Sequence, residues 1–325
     1  MPVTSEFSLI KHFFSQLTSQ RDDVILGIGD DCALLQCPGD QVIAVSIDTL
    51  VEGIHFFSDV EPVKLGHKSL AVGLSDLAAM GATPAWFTLA LTLPEVDHAW
   101  LKGFSKGLAK LATEHNIQLV GGDTTRGPLC ISIQVHGFVK PDQALQRDGA
   151  KIGDLIYVTG TLGDAGAALQ YQSKQWHNAK LTAPDKNYLQ QRLETPTPRV
   201  AIGQKLLGIA SSAIDVSDGL LADLGHILER SNVGARLDLA KLPLSCVLSE
   251  IDRETAQQFA LHSGDDYELC FTVASHDSAD IEQDLAGLCT CIGTITNDNG
   301  IYFINHQNQL TQLTGTGYDH FSANR

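Results

Sequence analysis

The chain has 325 residues, 43% of them hydrophobic and 18% charged, a composition that excludes intrinsic disorder and suits about two globular domains. Its net charge of −16, from 38 acidic against 22 basic side chains, argues against nonspecific binding to nucleic acid or anionic membranes, which needs a basic face. No segment approaches the ~20 uninterrupted apolar residues of a membrane span. The N-terminus lacks the basic region and long apolar core of a signal peptide, so a cytoplasmic protein is expected. Cys32, Cys37, Cys130, Cys246, Cys270, Cys289 and Cys291 have no zinc-type spacing and are expected to be reduced structural thiols.

Phe7, Ile10, Phe14 and Leu17 recur at helical spacing and predict a short opening helix. Next comes Gly27-Ile28-Gly29-Asp30-Asp31, two adjacent carboxylates on a flexible backbone, which by itself reads equally as an ordinary turn. The hydrophobic run 42–47 predicts a strand. Period two then sets Ser46 and Asp48 on one face, either as two oxygen groups that share an ion or as a solvated strand end. A helix over about 63–80 stops at Gly81 with Pro84 beyond. Inside it Asp76 stands between Leu74, Leu77 and Ala79, where a partly buried charge needs a metal or a basic partner. Strands are predicted over 86–93, 117–120 and 131–139, and a helix over about 98–115. In the last strand Ile131, Ile133 and Val135 face one way and Ser132, Gln134 and His136 the other. After the strand ending at residue 120 comes the string Gly121-Gly122-Asp123-Thr124-Thr125-Arg126-Gly127, read as a ligand-binding string or, alternatively, as a tight turn capped by Asp123. Its glycines permit close backbone approach to a ligand, Asp123 suits a metal, and the following polar groups suit phosphate.

Polar and small residues between Pro141 and Gly153 mark a domain boundary, giving residues 1–148 and 149–325. The second half restarts with a strand at Leu155–Val158 and the turn Gly160-Thr161-Leu162-Gly163, followed by an alanine-rich helix. The polar run 173–187 is expected to be an exposed connection. Further strands are predicted over 212–216, 235–239, 268–273, 290–295 and 301–304, with helices near 199–210, 219–230, 254–262 and 278–288. In Asp215-Val216-Ser217-Asp218-Gly219 a strand enters a helix. Asp218 caps that helix in the plainest reading, while Asp215 and Ser217 share a face beside an anion-favouring terminus. Gly264-Asp265-Asp266-Tyr267-Glu268 repeats the glycine-acid theme at a strand start. The fold class is α+β, with two mixed α/β domains. P-loop and protein-kinase strings are absent, and no nucleophilic triad is evident. Carboxylates that converge in a fold call for hard divalent cations between them.

Taken in order, Asp48 to Phe56, Ser75 to Gly81, Gly121 to Gly127 and Asp215 to Gly219 resemble the thiamine-monophosphate kinases, part of the ATP-binding superfamily of aminoimidazole ribonucleotide synthetase. The resemblance implies transfer of the γ-phosphate of ATP to thiamine monophosphate on several Mg²⁺ ions. It puts Asp30, Ser46, Ile47 (through its carbonyl), Asp48, Asp76, Asp123, Asp215 and Asp218 at metal positions. Gly122, Asp123, Arg147 and Ser217 fall on ATP positions, and His55, Glu268 and Tyr318 on substrate positions; no catalytic base is implied. It further implies a homodimer paired through the N-terminal sheet, and a sandwich-like C-terminal α/β domain completing the site. The sequence departs from the family pattern at Gly73, usually asparagine, at Ser263 and Asp265, in a stretch more often Gly-Gly-Glu-Asp, and at Lys106, where an aromatic faces adenine. Two other readings stand beside it: an ATP-dependent enzyme of the same superfamily that activates an amide oxygen, and a noncatalytic divalent-metal binding protein.

Overall fold

The structure, a computed structural model, describes residues 6–304 and 310–313. The chain divides into two compact units: the described residues up to Leu77 with Ala82–Asp142, and Ala78–Gly81 with the described residues from Gln143 onward.

The first unit opens with α1 (Glu6–Phe13) and a ribbon of β1 (Val24–Leu26) and β2 (Leu34–Leu35). There follow β3 (Val42–Val51), α2 (Pro62–Ala79), β4 (Thr83–Leu93), α3 (His98–Glu114), β5 (Gln118–Arg126) and β6 (Cys130–Val139). Its sheet runs β3-β6-β4-β5, antiparallel except for the β4–β5 pair, whose parallel crossover is α3. The expected alternation holds on β6, where Ile131, Ile133 and Val135 are buried and Ser132, Gln134 and His136 are not. Helix α2 lies against that buried face: Gly73 meets Val135, and Gly137 meets Leu77. Asp97 starts α3 by accepting from the N–H groups of Ala99 and Trp100.

The second unit contains β7 (Leu155–Thr159), α4 (Asp164–Gln172), α5 (Ala183–Glu194), α6 (Val200–Lys205), β8 (Ala210–Val216), α7 (Leu220–Ser231) and β9 (Gly234–Leu237). It continues with α8 (Cys246–Ser249), α9 (Arg253–His262), β10 (Glu268–Val273), α10 (Ser278–Asp284), β11 (Cys289–Thr296), β12 (Gly300–Ile304) and β13 (Leu310–Leu313). These strands form one sheet in the order β13-β12-β9-β11-β7-β10-β8, with β12–β9 the parallel pair. Ile156, Val158, Ile214 and Val216 share a core with Leu220, Leu224 and Ile227 of α7 and with Leu261 of α9. On the opposite face Tyr157 stacks on Phe271.

Both units are mixed α/β, as the sequence implied. Four local expectations are corrected. Residues 183–187, expected within an exposed connection, begin α5. Thr182 and Asp185 close a capping box there, and Pro184 sits in the first turn. With Leu189 and Leu193 as its buried apolar anchors, the helix lacks a stripe that periodicity would detect. The helix expected over 199–210 stops at Lys205, before Gly208 turns left-handed (φ +78°). The one expected over 278–288 stops at Asp284. The strand expected to end at residue 120 runs to Arg126. All seven cysteines are free. No helix among the described residues is long and apolar enough to cross a membrane.

Candidate active site

On β3, pleating turns Ser46, Asp48 and the buried Leu50 to one side and Val45 and Ile47 to the exposed other side. The Ser46 hydroxyl donates to Asp76 Oδ2 of α2 at 2.5 Å. Asp48 lies beside the same carboxylate. Burial first, and the charge of Asp76 second, push its carboxyl up to about 7. Asp48 Oδ2 is shut away from solvent with no hydrogen-bond partner among the described residues. An added Cβ at Gly73 would stand 3.6 Å from that oxygen and 3.0 Å from Val135 Cγ1, so the glycine keeps side-chain atoms off both. Two carboxylates, one of them with an orphaned buried oxygen, and a hydroxyl are donors of the kind a hard divalent cation takes. The residues here fit Mg²⁺.

The other candidates of this unit are placed singly. Asp30 is exposed on its glycine turn, where Oδ1 accepts from the Asp31 N–H at 2.8 Å. His55 is half-buried after β3, and its Nδ1 accepts from the Val51 N–H at 3.0 Å. That bond fixes Nε2 as the proton-bearing nitrogen of the neutral ring. The Ile47 side chain is exposed on the face of β3 opposite Ser46 and Asp48. Asp123 is exposed on β5, paired with Ala90 of β4. Here the glycine string does not end the strand, because β4 carries the ladder through Leu89–Gly122 to Leu93–Arg126. Gly122 is required: φ is +153°, and a Cβ would run into the Leu89 carbonyl oxygen. Among the described residues no three His, Cys, Asp or Glu side chains form a ready-made metal cluster.

In the second unit Asp215 is buried at the end of β8, in register with Leu269 of β10. The turn beyond it is organised by Asp223, on the first turn of α7. Asp223 Oδ2 accepts from the N–H groups of Ser217, Asp218 and Gly219 at 3.0, 3.0 and 3.1 Å. Asp218 is therefore not the helix cap that the plainest reading made it; the cap position is Gly219, without a side-chain bond. Burial pushes the Asp223 carboxyl up to about 7 against those three donors, with Asp218 adding to the rise. Arg147 is exposed, and its carbonyl accepts from Ser231 Oγ at 3.0 Å. A second loop lies along this turn: the N–H groups of Asp265 and Tyr267 donate to the carbonyls of Ser217 and Val216, both at 2.9 Å. Asp265 and Tyr267 are left-handed, at φ +66° and +51°, and the Tyr267 hydroxyl donates to Asp265 Oδ1 at 3.0 Å.

Glu268 follows that loop and is 0% exposed. Arg199 grips it with two bonds, Nε to Oε2 at 2.6 Å and Nη2 to Oε1 at 2.5 Å. Arg192 Nη2 donates to Oε1 at 2.9 Å, and Thr159 Oγ1 to Oε2 at 2.6 Å. Asp164 and Asp266, both buried, complete the cluster. Burial holds the Asp266 carboxyl well above the usual carboxylate range, which favours its neutral form and leaves two arginines balanced by Asp164 and Glu268. Tyr318 lies outside the described residues.

Sequence reasoning missed Asp164, Arg192, Arg199, Asp223 and Asp266. For Asp223 a signal existed, the same one that marked Asp76: an acid set among Leu220, Leu221 and Leu224. The ion pairs join residues 76 and 69 positions apart, beyond any local pattern.

Comparison with known proteins sharpens this geometry. The family model for the N-terminal domain of AIR synthase related protein matches residues 29–139, and that for the C-terminal domain matches residues 151–305. The class is thus a two-domain AIR synthase related protein. The chain is 52% identical to thiamine-monophosphate kinase of Escherichia coli (strain K12), over 98% of each chain. The crystal structure of thiamine-monophosphate kinase from Stenotrophomonas maltophilia K279a superposes with a TM-score of 0.81 at 49% identity, covering 87% of this chain and 92% of that one. A structure of AaThiL complexed with AMPPCP and TMP matches at a TM-score of 0.77 and 29% identity, over 88% and 89%. The chain belongs to the thiamine-monophosphate kinase family.

Proposed function

We propose that the chain transfers the γ-phosphate of ATP to the phosphate of thiamine monophosphate, forming thiamine diphosphate and ADP. The observation that carries this reading is 52% identity with the Escherichia coli kinase along almost the whole chain. The neighbour solved with AMPPCP and TMP supports it. An acceptor phosphate oxygen attacks the γ-phosphorus, the bond from that phosphorus to the bridging oxygen breaks, and ADP leaves with the electron pair. The acceptor is already an anion near neutral pH, so no strong base is required and none is assigned. The obstacle is repulsion between two polyanions on a chain of net charge −16. Mg²⁺, when bound, supplies the missing positive charge.

In this reading Asp30, Ser46, the Ile47 carbonyl, Asp48, Asp76 and Asp123 hold Mg²⁺ from residues 1–148, and Asp215 and Asp218 from residues 149–325. The paired acids Asp48 and Asp76 support it most directly. Gly122, Asp123, Ser217 and the exposed guanidinium of Arg147 serve ATP. His55 offers Nε2–H to the acceptor phosphate, and Tyr318 serves the thiamine ring. Within Gly264–Glu268 the accessible carboxylate is Asp265, so Glu268 serves the substrate from behind that loop. The exposed apolar edge of β3 supports a homodimer. The cytoplasm, where ATP, Mg²⁺ and thiamine phosphates meet, is the compartment the reaction calls for.

Purified protein incubated with ATP, Mg²⁺ and thiamine monophosphate is expected to form thiamine diphosphate. Absence of that product overturns the reading. Asp48→Ala and Asp123→Ala are each expected to lose at least ~100-fold in turnover while keeping a native circular-dichroism spectrum, an effect of the size expected for lost charge stabilisation. Near-normal turnover in either variant rejects that residue as a ligand.

A further inference from the structure

Among the described residues the Glu268 carboxylate accepts from Thr159, Arg192 and Arg199. Gly160 is shaped around it: a Cβ there would overlap the Glu268 carboxylate. Stability alone gives a poor account of such an arrangement, because well-packed apolar residues stabilise a buried site as well as an ion pair does. What the bonds add is direction. Glu268 heads β10, opposite Val216 of β8. Thr159 Oγ1, which donates to Glu268, accepts from the N–H of Leu269, and Leu269 is the register partner of Asp215. On the other side of Glu268 stands the loop whose left-handed Asp265 and Tyr267 bond to the carbonyls of Ser217 and Val216. Backbone held in that region by non-glycine residues persists when its surroundings over-determine it.

We infer that Glu268, Arg199 and Arg192 form a positioning clamp for phosphoryl transfer: they fix the head of β10, and through it the Asp215–Asp218 turn and the Asp265 loop. The inference rests on the phosphotransfer reading above and assigns to Glu268 a role at one remove from substrate. The Gly160–Gly163 turn is tied into the same cluster. Its Gly163 N–H is taken by Asp266, and the arginines beside it are taken by Glu268.

The test compares Glu268→Gln, which keeps the shape and removes the charge, with Arg199→Lys, which keeps the charge and removes the fork. Tyr188→Phe is the reference, since it removes a hydroxyl that bonds to Asp164 in the same cluster and leaves Glu268 and its arginines intact. Scaled to folded protein, both clamp variants are expected to lose at least tenfold in kcat. The Mg²⁺ concentration giving half-maximal activity is expected to rise several-fold, while Tyr188→Phe keeps both at wild-type values. A merely structural cluster would lower the melting temperature of all three and leave kcat and the Mg²⁺ profile unchanged, which overturns the inference. So does an equal loss of kcat in Tyr188→Phe. If Glu268→Gln does not fold, Arg199→Lys decides by the same two readouts. A wild-type protein that makes no thiamine diphosphate removes the phosphotransfer reading itself, and the clamp's role falls with it; an active wild type with unaffected clamp variants removes the clamp alone.

Discussion

Asp48 is a carboxylate that the fold makes uncomfortable in the absence of metal. Its pKa in the folded chain is about 7, against an ordinary 3.8, so the folded state holds that proton more tightly than the unfolded one. The stabilisation attached to the proton is complete below the unfolded value and is lost as the pH rises through 7. A shift of this size corresponds to at most roughly 4 kcal/mol. Asp48→Asn removes the charge and keeps the shape. In metal-free buffer it is expected to melt several degrees above wild type at pH 8, with the advantage gone near pH 4. Melting curves at the two pH values decide it; no gain at pH 8 would mean that burial and the neighbouring Asp76 do not penalise the ionised Asp48. Mg²⁺ binding needs the same carboxylates ionised, so the apparent Mg²⁺ affinity should fall between pH 8 and pH 6.

The glycine pair on β5 separates two uses of the same residue within one element. At Gly122 a side chain would meet the Leu89 carbonyl and impose a left-handed backbone on alanine. At Gly121 the nearest atom to an added Cβ is Thr88 Cγ2, at 3.9 Å, with ordinary backbone angles. Gly122→Ala is therefore expected to cost at least ~2 kcal/mol and to take turnover with it by displacing Asp123. Gly121→Ala should stay within ~1 kcal/mol of wild type. Thermal melts of the two variants are the check, and equal stability would contradict the strand pairing described for β5. Helix α5 makes a related point. Its start is written in Thr182 and Asp185, but two buried leucines are too few to announce the helix by periodicity.

At the scale of the molecule, β3 is a ten-residue edge strand whose outer face is apolar. Val45 is 53% and Ile47 63% exposed, with Ile43 beside them at 44%. Long, flat, apolar edges of this kind associate unless they are covered. A second copy of the chain is the proposed cover. Sedimentation velocity should give a dimer for wild type and a monomer for Ile43→Lys/Val45→Lys. A wild-type monomer, or a doubly charged edge that still dimerises, would rule out this face as the interface.

The sequence by itself determined the alternating apolar pattern that builds two mixed α/β units, the acids Asp48, Asp123 and Asp215 beside their hydrophobic strand runs, and Asp76 inside its apolar helix. These signals are local, because period, glycine and acid lie within a few residues of one another. Tertiary structure alone decided that Ser46, Asp48 and Asp76 meet, since β3 and α2 are brought together by packing. It decided that the Gly121–Arg126 string is strand, since β4 supplies the hydrogen bonds that glycines alone would not keep. It also decided that Glu268 is enclosed by Arg192 and Arg199, and that Asp223 holds the turn after Asp215. A charge finds its partner by where the chain folds back, and separation along the sequence carries no trace of that.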